Sequence, residues 1–547
     1  MKTEGAPAIT APRVALIAAG VATLLAAGLH ILFGVSAGAL WRDEVNSLEV
    51  ASVRTLGELW HCLDFDSFPA LFFLVLRPFV GVPAEISDAG LRVFGVVIGL
   101  LILGAIWMNA RWFRLGAPLL SLALIGFNPM VIRYSDSIRA YGLGTLLMLL
   151  TIGAIWKFVE TGAPWRLLLA LLAALLAVQT LYYNAVLLFA ICLAGVAVNA
   201  RRREWQRGAS LLAIGAICAL SMLPYLPTIK HVRSWNFQFK AEIGFAYLWG
   251  KLSETLGSPI AAANWIWVGL LALALVAAVA NLWPRSSDEA TRVRQDRMLF
   301  ASVMLVIGVL GYAIFLRVLS YPTQPWYYVA FVAFGATCLE IIFASLPPRT
   351  FVSGARLAFA LLFIGCAIFP ATQELELRQS NIDTIAARLH SLAKKDDLIL
   401  INTWNYGISF RRYYQGPATS TTIPPIADLR FHRCDLSKFQ MTQTDPLAPV
   451  LRQIGATLSR GHDVWLIGAL DFVPPGERPA VVAPGHDGED GWVGEGFYPS
   501  WSQQTSYFLQ NHILGFERVL VPVPRTVIKF ENLPLSRFHG FRETASL

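Results

Sequence analysis

The chain has 547 residues, of which 55% are hydrophobic and only 15% are charged, and its mean hydropathy is +0.54. This composition excludes an ordinary soluble globular protein and predicts an integral membrane protein. The net charge of +8 comes largely from short arginine clusters between apolar runs. Such clusters orient membrane proteins and do not follow a nucleic-acid backbone, so we expect no nucleic acid as a partner.

Apolar runs close to the 20 or so residues that cross a bilayer predict about eleven transmembrane helices. The first run is too long for a signal-peptide core, and we expect it to be retained. The runs lie at 14–34, 91–110, 117–134, 140–158, 166–183, 185–200, 209–227, 263–283, 298–317, 326–345 and 356–372. The predicted fold class is therefore a polytopic α-helical membrane domain over residues 1–372.

A shorter apolar run at 69–80 contains Arg77 and is flanked by prolines. It predicts an interfacial helix and not a crossing. With that choice, every loop on the side of the N-terminus is basic, which places this terminus in the cytoplasm. Residues 35–90 then form the first extracytoplasmic loop.

From residue 373 to 547 the sequence is compatible with water, and an odd number of spans places this part outside the cytoplasm. Alternating patterns predict a small α/β domain. Helices are expected over 383–392 and 449–460, strands over 397–402 and 463–468, and a long loop over 484–501. This domain has no Gly-rich turn between a strand and a helix, so its sequence does not indicate nucleotide binding.

Asp43 and Glu44 are adjacent carboxylates shortly after the first span. They could simply begin a helix, because Asp is a favoured N-cap and Asn46 and Ser47 suit a first turn. Alternatively, a carboxylate beside the bilayer can have its pKa tuned to take a proton from a hydroxyl or amine. In that case Asp43 is the general base, and Glu44 orients the acceptor or supports Asp43.

The segment that joins the third and fourth spans contains Asp136 and Arg139, with Tyr134 and Tyr141 beside them. The spacing predicts an ionisable pair one helical turn apart, which is a functional candidate at the end of a span. Contacts with lipid headgroups are the alternative for these side chains.

A later outer loop carries Lys230 and Arg233 among aromatic residues. A lipid phosphate needs such cationic partners beside a groove of low charge, although an aromatic belt facing membrane lipids would have a similar composition. The carboxylates and His486 near residue 487 could bind a cation, but a solvated loop explains them better. No ligand cluster requires a metal, and a divalent cation remains an open alternative.

Four motifs follow one another between residues 36 and 150: Trp41-Arg42-Asp43-Glu44, Phe68-Pro69-Ala70-Leu71-Phe72-Phe73, Leu91-Arg92 with Gly99, and Asn128-Pro129 through Leu143. In order and spacing they resemble the GT-C glycosyltransferases of the protein O-mannosyltransferase and lipid A aminoarabinose transferase type, especially bacterial family 39-like members. Those proteins typically carry W-x-D-E, an H-P-P-L-Y-Y helix, L-R at the start of a span, and S-P-x-x-x-x-Y-S-Q-E-x-R-x-Y-x-L.

The resemblance implies a GT-C fold, a polyprenyl-phosphate-linked sugar as donor, inversion at the anomeric carbon, and Asp43 as the base. The predicted function is transfer of a monosaccharide to an extracytoplasmic glycan, lipid or protein. We predict that Asp136 and Tyr141 line the same cavity and that Arg139 binds the donor phosphate. Weaker candidates for binding the substrate are Arg92, Lys230, Arg233 and Tyr134.

The sequence departs from the family pattern at several motif positions. Phe68 and Ala70 replace the family's His and second Pro, and Ser137 replaces its acidic residue. Either Asp136 takes over that acidic role, or the sugar or acceptor differs. Pro325 begins a P-W-Y-Y run where the family often has P-R-Y-L, so the expected Arg is absent.

Two other classes of protein compete with the enzyme. In a transporter or flippase, Asp43, Asp136 and Arg139 would form a coupling network. That class calls for inverted repeats and helices broken at mid-span, which the sequence does not indicate. In a membrane-anchored binding or assembly protein, the C-terminal domain would carry the function.

Overall fold

The computed structural model describes residues 11–81, 86–233, 243–257, 259–260, 262–282, 288–347, 350–487 and 494–543. A bundle of helices is followed by a smaller part that contains a β-sheet. The helices up to residue 375 are α1 (Ala11–Ser36), α2 (Arg42–Ala51), α3 (Leu56–Cys62), α4 (Leu71–Val80), α5 (Asp88–Trp112), α6 (Leu119–Gly126), α7 (Pro129–Ser135), α8 (Ala140–Thr161), α9 (Pro164–Val178), α10 (Asn184–Arg202), α11 (Trp205–Ser221), α12 (Leu226–Arg233), α13 (Phe245–Gly257), α14 (Ala262–Leu282), α15 (Glu289–Leu319), α16 (Val329–Ala344) and α17 (Thr350–Leu375).

Nine helical segments among the described residues are long and apolar enough to cross a membrane. They are α1, α5, α8, α10, the run from α11 into α12, α14, α15, the segment ending in α16, and α17. Several expose leucine, valine and phenylalanine over much of their length, as surfaces that face lipid do. The chain is therefore a multi-pass membrane protein.

The predicted span at 117–134 is interrupted in the structure. The side chain of Asn128 accepts hydrogen bonds from the backbone N–H groups of Met130 and Val131, and Pro129 occupies the first position of α7. This capping ends α6 and starts a new helix. The two short helices together return to the beginning of α5, where a Cβ on Gly95 would lie 1.9 Å from the carbonyl oxygen of Asp136.

The predicted span at 166–183 is found as α9, which has 15 residues. Asn184, the first residue of α10, donates a hydrogen bond of 3.0 Å to the carbonyl oxygen of Gly144 in the first turns of α8. The chain that leaves α9 thus returns to the beginning of α8. Together with the broken pair α6 and α7, it accounts for the two predicted crossings that are not among the nine long helices.

The run at 69–80 forms α4, a helix of 10 residues that contains Pro78. Its Arg77 donates hydrogen bonds to the carbonyl oxygens of Ala51 at 2.9 Å, Val53 at 2.5 Å and Arg54 at 2.8 Å. These carbonyls end α2 or follow it and would otherwise lack partners. Arg77 therefore fixes α2 against α4.

Basic side chains gather at the end of the bundle opposite to α2. There Arg202 binds Asp296 with an Nε to Oδ2 distance of 2.9 Å, and Arg297 donates to the carbonyl oxygen of Phe113 at 2.6 Å. These groups come from the ends of α5, α10 and the beginning of α15. Arg202 and Arg297 therefore tie the ends of α5, α10 and α15 together on the side away from α2.

The C-terminal part contains one mixed sheet of five strands in the order β2-β1-β3-β5-β4. Strand β1 pairs in parallel with β2 and β3, whereas β5 pairs in antiparallel with β3 and β4. The strands are β1 (Leu398–Ile401), β2 (Thr419–Thr422), β3 (Val464–Ile467), β4 (Ile513–Val519) and β5 (Leu535–Phe541), and the helices are α18 (Ile382–Leu392), α19 (Tyr406–Tyr413), α20 (Cys434–Met441), α21 (Ala448–Ser459) and α22 (Gly494–His512).

Strands β1 and β3 and helices α18 and α21 lie where the sequence predicted them. Both strands are fully buried, as expected for the centre of a sheet covered on both faces. The predicted loop at 484–501 is wrong from residue 494 onward, because α22 begins there. Phe497 and Trp501 pack into the core between sheet and helices, and this packing overrides the Gly and Pro content of the segment.

Candidate active site

The first turn of α2 lies at the end of the bundle where several chain segments meet. The carboxylate of Glu44 accepts a hydrogen bond from the backbone N–H of Trp41 at 3.2 Å, which satisfies a donor at the helix start. It also accepts one from the N–H of Ile138 at 2.9 Å. Arg92 completes the set, with Nη1 2.5 Å from Oε1 and Nη2 3.0 Å from Oε2. Glu44 thereby joins α2, α5 and the link between α7 and α8.

Arg139 lies immediately before α8 and reaches back to α2. Its Nη1 donates to the carbonyl oxygen of Asp43 at 3.1 Å, to Oγ of Ser47 at 2.8 Å and to Oδ2 of Asp66 at 2.8 Å. The guanidinium also lies 4.3 Å from the ring centroid of Phe68, a cation–π distance. Its Nε is buried and has no hydrogen-bond partner in the described part of the chain. The guanidinium therefore retains unused donor capacity.

The side chain of Asp43 is 18% exposed, in contrast to the fully buried Glu44 beside it. Its Oδ1 lies 3.5 Å from Nε of Arg42 and 3.4 Å from Nε2 of His432. No hydrogen bond to either side-chain oxygen of Asp43 is found among the described residues, and its closest charged contacts are made by Oδ1. Burial opposes ionisation, but the His432 contact and the charges of Arg42 and Arg139 outweigh it and hold the pKa of Asp43 well below its usual range. Asp43 is thus an ionised carboxylate that is partly open to solvent.

The C-terminal part of the chain closes one side of this cluster through Glu531. Its carboxylate accepts hydrogen bonds from the backbone N–H of Arg42 at 3.1 Å, from Oγ of Ser380 at 3.0 Å and from Oγ of Ser409 at 2.7 Å. Burial raises the pKa of Glu531 to about 7, even though Arg42 and the hydrogen bonds act in the opposite direction. The β-sheet part is therefore bound directly to the helix that carries Asp43.

The expected pair of Asp136 and Arg139 is wrong. Helix α7 ends at Ser135 and α8 begins at Ala140, so no helix carries both side chains, and Arg139 has an extended backbone. Asp136 is completely buried and binds Nδ1 of His30 at 2.7 and 2.9 Å. The structure thus places the carboxylate of Asp136 against α1 and not beside Arg139.

Aromatic rings surround the remaining predicted residues of the outer connection. Tyr141 lies 6.3 Å from Tyr327 between ring centroids, and Tyr134 lies 5.1 Å from Trp326. Trp326 also packs edge-on against Trp41 at 5.3 Å. The P-W-Y-Y run therefore contributes an aromatic wall to the site, where the family pattern has an arginine.

The weaker candidates are placed differently. Arg92 is 3% exposed and is occupied by Glu44. Lys230 is exposed near the end of α12 and has no polar contact with the cluster around Asp43 in the described part of the chain. The side chain of Arg233 lies outside the described residues. Of the predicted set, the structure brings together Asp43, Arg139 and Tyr141.

No protein-family model and no curated protein matches this chain. Among solved structures, ArnT from Cupriavidus metallidurans in the apo state is similar, with a TM-score of 0.51, 13% sequence identity, and coverage of 83% of this chain and 93% of that chain. The chain has the GT-C fold. ArnT from the same organism bound to undecaprenyl phosphate has a TM-score of 0.47 at 13% identity, covering 82% and 93%. The Archaeoglobus fulgidus oligosaccharyltransferase in the apo form has a TM-score of 0.46 at 11% identity, covering 83% and 69%.

At this level of identity the likeness concerns the GT-C fold alone, and the chemistry must be argued from the side chains. Three residues in this GT-C site were not predicted: Asp66, His432 and Glu531. Asp66 lies in the predicted first loop, close to the Phe68 motif, and its charge was a usable signal. His432 and Glu531 reach the site only through folding of the C-terminal part, and no local pattern marks them.

The donor groups of the site decide whether it could hold a metal ion. Among the described residues, no group of three or more His, Cys, Asp and Glu side chains is arranged to hold a metal ion. Asp66 is neutralised by Arg139 instead, at 2.8 Å. Glu489 and Asp490, two of the carboxylates near residue 487, lie outside the described residues. The described residues therefore provide no set of ligands for a divalent cation.

Proposed function

We propose that this protein is an inverting glycosyltransferase that moves a monosaccharide from a polyprenyl phosphate to an acceptor outside the cytoplasm. The acceptor would be a glycan, a lipid or a protein. The observation that carries the proposal is the cluster of Asp43 and Arg139: a partly exposed, ionised carboxylate next to a buried guanidinium, at one end of a GT-C helix bundle.

The proposed role of Asp43 is that of general base. In transfer with inversion, the acceptor O–H or N–H gives its proton to a carboxylate while the acceptor atom bonds to the anomeric carbon. The bond from that carbon to the phosphate oxygen breaks on the opposite face, and the electron pair stays on the phosphate. Oδ2 of Asp43 would take the proton, since the closest contacts of this carboxylate with Arg42 and His432 are made by Oδ1.

The proposed role of Arg139 is to bind the donor phosphate and stabilise the charge that remains on it. A preorganised cation in a site that excludes water is effective at this task, because it requires little rearrangement during the reaction. Arg139 is held by Asp66, Ser47 and Phe68, so its position is set before the donor arrives. Arg92 is not available for this role, because its guanidinium binds both carboxylate oxygens of Glu44.

An apolar cavity of about 350 Å³ is suited to a section of the isoprenoid tail. It lies between α13, α14, α15 and α16 and is lined by side chains such as Leu252, Trp267 and Phe331. Tyr312, also in its lining, donates a hydrogen bond of 2.5 Å to the carbonyl oxygen of Tyr327, which faces Tyr141. A continuous aromatic path thus leads from the cavity to the cluster.

The proposed orientation puts the cluster on the extracytoplasmic face and the N-terminus in the cytoplasm. Its support is the concentration of arginine at the opposite end of the bundle, since basic residues are retained on the cytoplasmic side. The membrane would be the cytoplasmic membrane of a bacterium. No contact among the described residues specifically favours the transporter alternative.

Two measurements test the proposal. Native mass spectrometry of the protein purified in mild detergent should detect a bound polyprenyl phosphate, with its sugar if this is retained. Membranes containing Asp43→Asn should then transfer label from polyprenyl-phosphate sugars roughly 100-fold to 10,000-fold more slowly than wild-type membranes with the same amount of protein. Undiminished transfer by Asp43→Asn would refute the assignment.

A further inference from the structure

A short segment of the C-terminal part, residues 428–435, lies directly on α2; we call it the docking segment. The backbone N–H of His432 donates to Oδ1 of Asn46 at 2.8 Å. Arg430 binds Glu49 with an Nε to Oε2 distance of 2.9 Å. The docking segment is thus attached to the same helix that carries Asp43, at positions one and two turns further along.

The docking segment is also held internally. Arg433 binds Asp428 with an Nη1 to Oδ2 distance of 2.8 Å. It also binds Asp435, with Nε 2.8 Å from Oδ1 and Nη2 2.7 Å from Oδ2. The same guanidinium lies 5.0 Å from the ring of Phe65, which stacks on Phe431 at 5.5 Å. Because these contacts fix the backbone on both sides of residue 432, the His432 side chain is presented in a defined position.

The imidazole of His432 points at the candidate base. Its Nε2 lies 3.4 Å from Oδ1 of Asp43, and the ring packs edge-on against Trp404 at 6.4 Å between centroids. The imidazole is 20% exposed, close to the exposure of Asp43. The contact therefore lies at the edge of the cluster, where both side chains reach solvent.

We propose that His432 is a positioning residue for Asp43: its Nε2, 3.4 Å from Oδ1, orients the carboxylate and directs Oδ2 toward the acceptor. This inference rests on the proposed glycosyl transfer. The acceptor proton moves to Oδ2, the acceptor oxygen bonds to the anomeric carbon, and the phosphate leaves with the electron pair. His432 gains and loses no proton in that step, since its task is to set the geometry and basicity of the carboxylate.

His432 does not act on Asp43 alone, and the other groups around this carboxylate define what a change at position 432 can do. The groups that face Asp43 include Arg42, Arg139, Tyr134, Tyr141, Tyr321, Tyr327 and Cys434. The two arginines remain when His432 is removed, so Asp43 stays ionisable but loses one donor. The expected consequence is a weakened site and a shifted pH dependence, with residual activity.

The first test measures sugar transfer from a panel of undecaprenyl-phosphate hexoses and pentoses, labelled in the sugar, to acceptors in membranes. His432→Ala should lower kcat roughly 10-fold to 100-fold with the KM for the donor nearly unchanged, as expected for loss of a hydrogen bond to a charged group. The acid limb of the pH profile should move upward, because Asp43 then protonates more easily.

Two variants separate positioning from simple docking. His432→Gln keeps an N–H donor at a similar distance and should recover most of the lost kcat and the original acid limb. Arg430→Ala removes an exposed ion pair of the same segment and should stay within about twofold of wild type. Equal losses in His432→Gln and His432→Ala with an unshifted acid limb would show a structural role only and overturn the proposal.

A second measurement does not depend on sugar transfer. A water-soluble carbodiimide with glycine ethyl ester modifies protonated carboxyls, and peptide mass spectrometry reports the extent at Asp43 across a pH series. At the acid end of the series Asp43 should be modified faster in His432→Ala than in wild type, and equal rates there would refute the inference. Inactivity of wild type with every donor would refute the proposed function instead, while the carbodiimide result would still decide the role of His432.

Discussion

The guanidinium of Arg92 binds both carboxylate oxygens of Glu44 inside the protein, with Nη1 2.5 Å from Oε1 and Nη2 3.0 Å from Oε2. Removing one member of a buried pair leaves the other charge uncompensated, at a cost of about 3–5 kcal/mol. Arg92→Ala and Glu44→Ala should therefore lower the melting temperature in detergent and the yield of monodisperse protein. Asp43→Asn, a change at the neighbouring, partly exposed position, should melt close to wild type. Wild-type melting of both Arg92→Ala and Glu44→Ala would show that the pair does not stabilise the fold.

Arg139 offers a direct test of phosphate binding. Replacing it with Ala should weaken binding of synthetic undecaprenyl phosphate roughly 10-fold to 100-fold, the value of one or two hydrogen bonds to a charged group. The affinity of Arg139→Lys should lie between those of wild type and Arg139→Ala, because an ammonium group keeps the charge but lacks the planar arrangement of donors of a guanidinium. Thermal-shift titration or native mass spectrometry would measure the affinities, with Arg411→Ala as the control on the protein surface. Equal affinity in all variants would exclude Arg139 as the phosphate ligand.

The close approach of α5 to the link before α8 depends on a residue without a side chain. A Cβ at Gly95 would lie 1.9 Å from the carbonyl oxygen of Asp136, whereas one at Gly104 of the same helix would have no atom within 4 Å. Gly95→Ala must therefore displace backbone and should lower the melting temperature by several degrees, and Gly104→Ala should leave it unchanged. Equal melting of the two variants would contradict the described packing.

The pKa of Glu531, raised by burial to about 7, gives stability a pH dependence of known sign. The folded protein holds this proton more tightly than the unfolded chain. The resulting contribution to the free energy of unfolding is therefore complete below the ordinary carboxyl pKa of about 4.3, and it is lost as pH rises through 7. In Glu531→Gln the melting temperature should depend less on pH over that interval than it does for wild type in the same detergent. An unchanged slope would mean that Glu531 is ionised throughout.

The membrane helices can be predicted from the sequence because a helix that crosses the hydrocarbon core needs about 20 apolar residues in a row, and such runs are visible in the sequence. The break at Asn128 was missed because apolar residues dominate on both sides, although Asn followed by Pro is a known helix start. In the C-terminal part, strands β1 and β3 were predictable as buried apolar runs. Strands β4 and β5 were not predicted, since their partly exposed pattern depends on pairing across the sheet.

Within the site, Asp43 could be predicted because it is charged and stands next to a span. Its environment could not be, because His432 and Glu531 approach it only in the folded chain. The same limit explains the error at Asp136, whose partner is His30, 106 positions earlier. Local spacing suggested Arg139 as the partner of Asp136. In the structure α7 ends and α8 begins between these two residues, so their side chains point to different neighbours.

The contact of Glu531 with the backbone of Arg42 joins positions 489 residues apart. During synthesis, α2 leaves the membrane insertion machinery long before the segment that covers it has been made. A nascent chain thus has its helical bundle while Asp43 is still uncovered and lacks His432. Completion of the site is consequently one of the last events in the production of each molecule, and chains that stop early would span the membrane with an unfinished site.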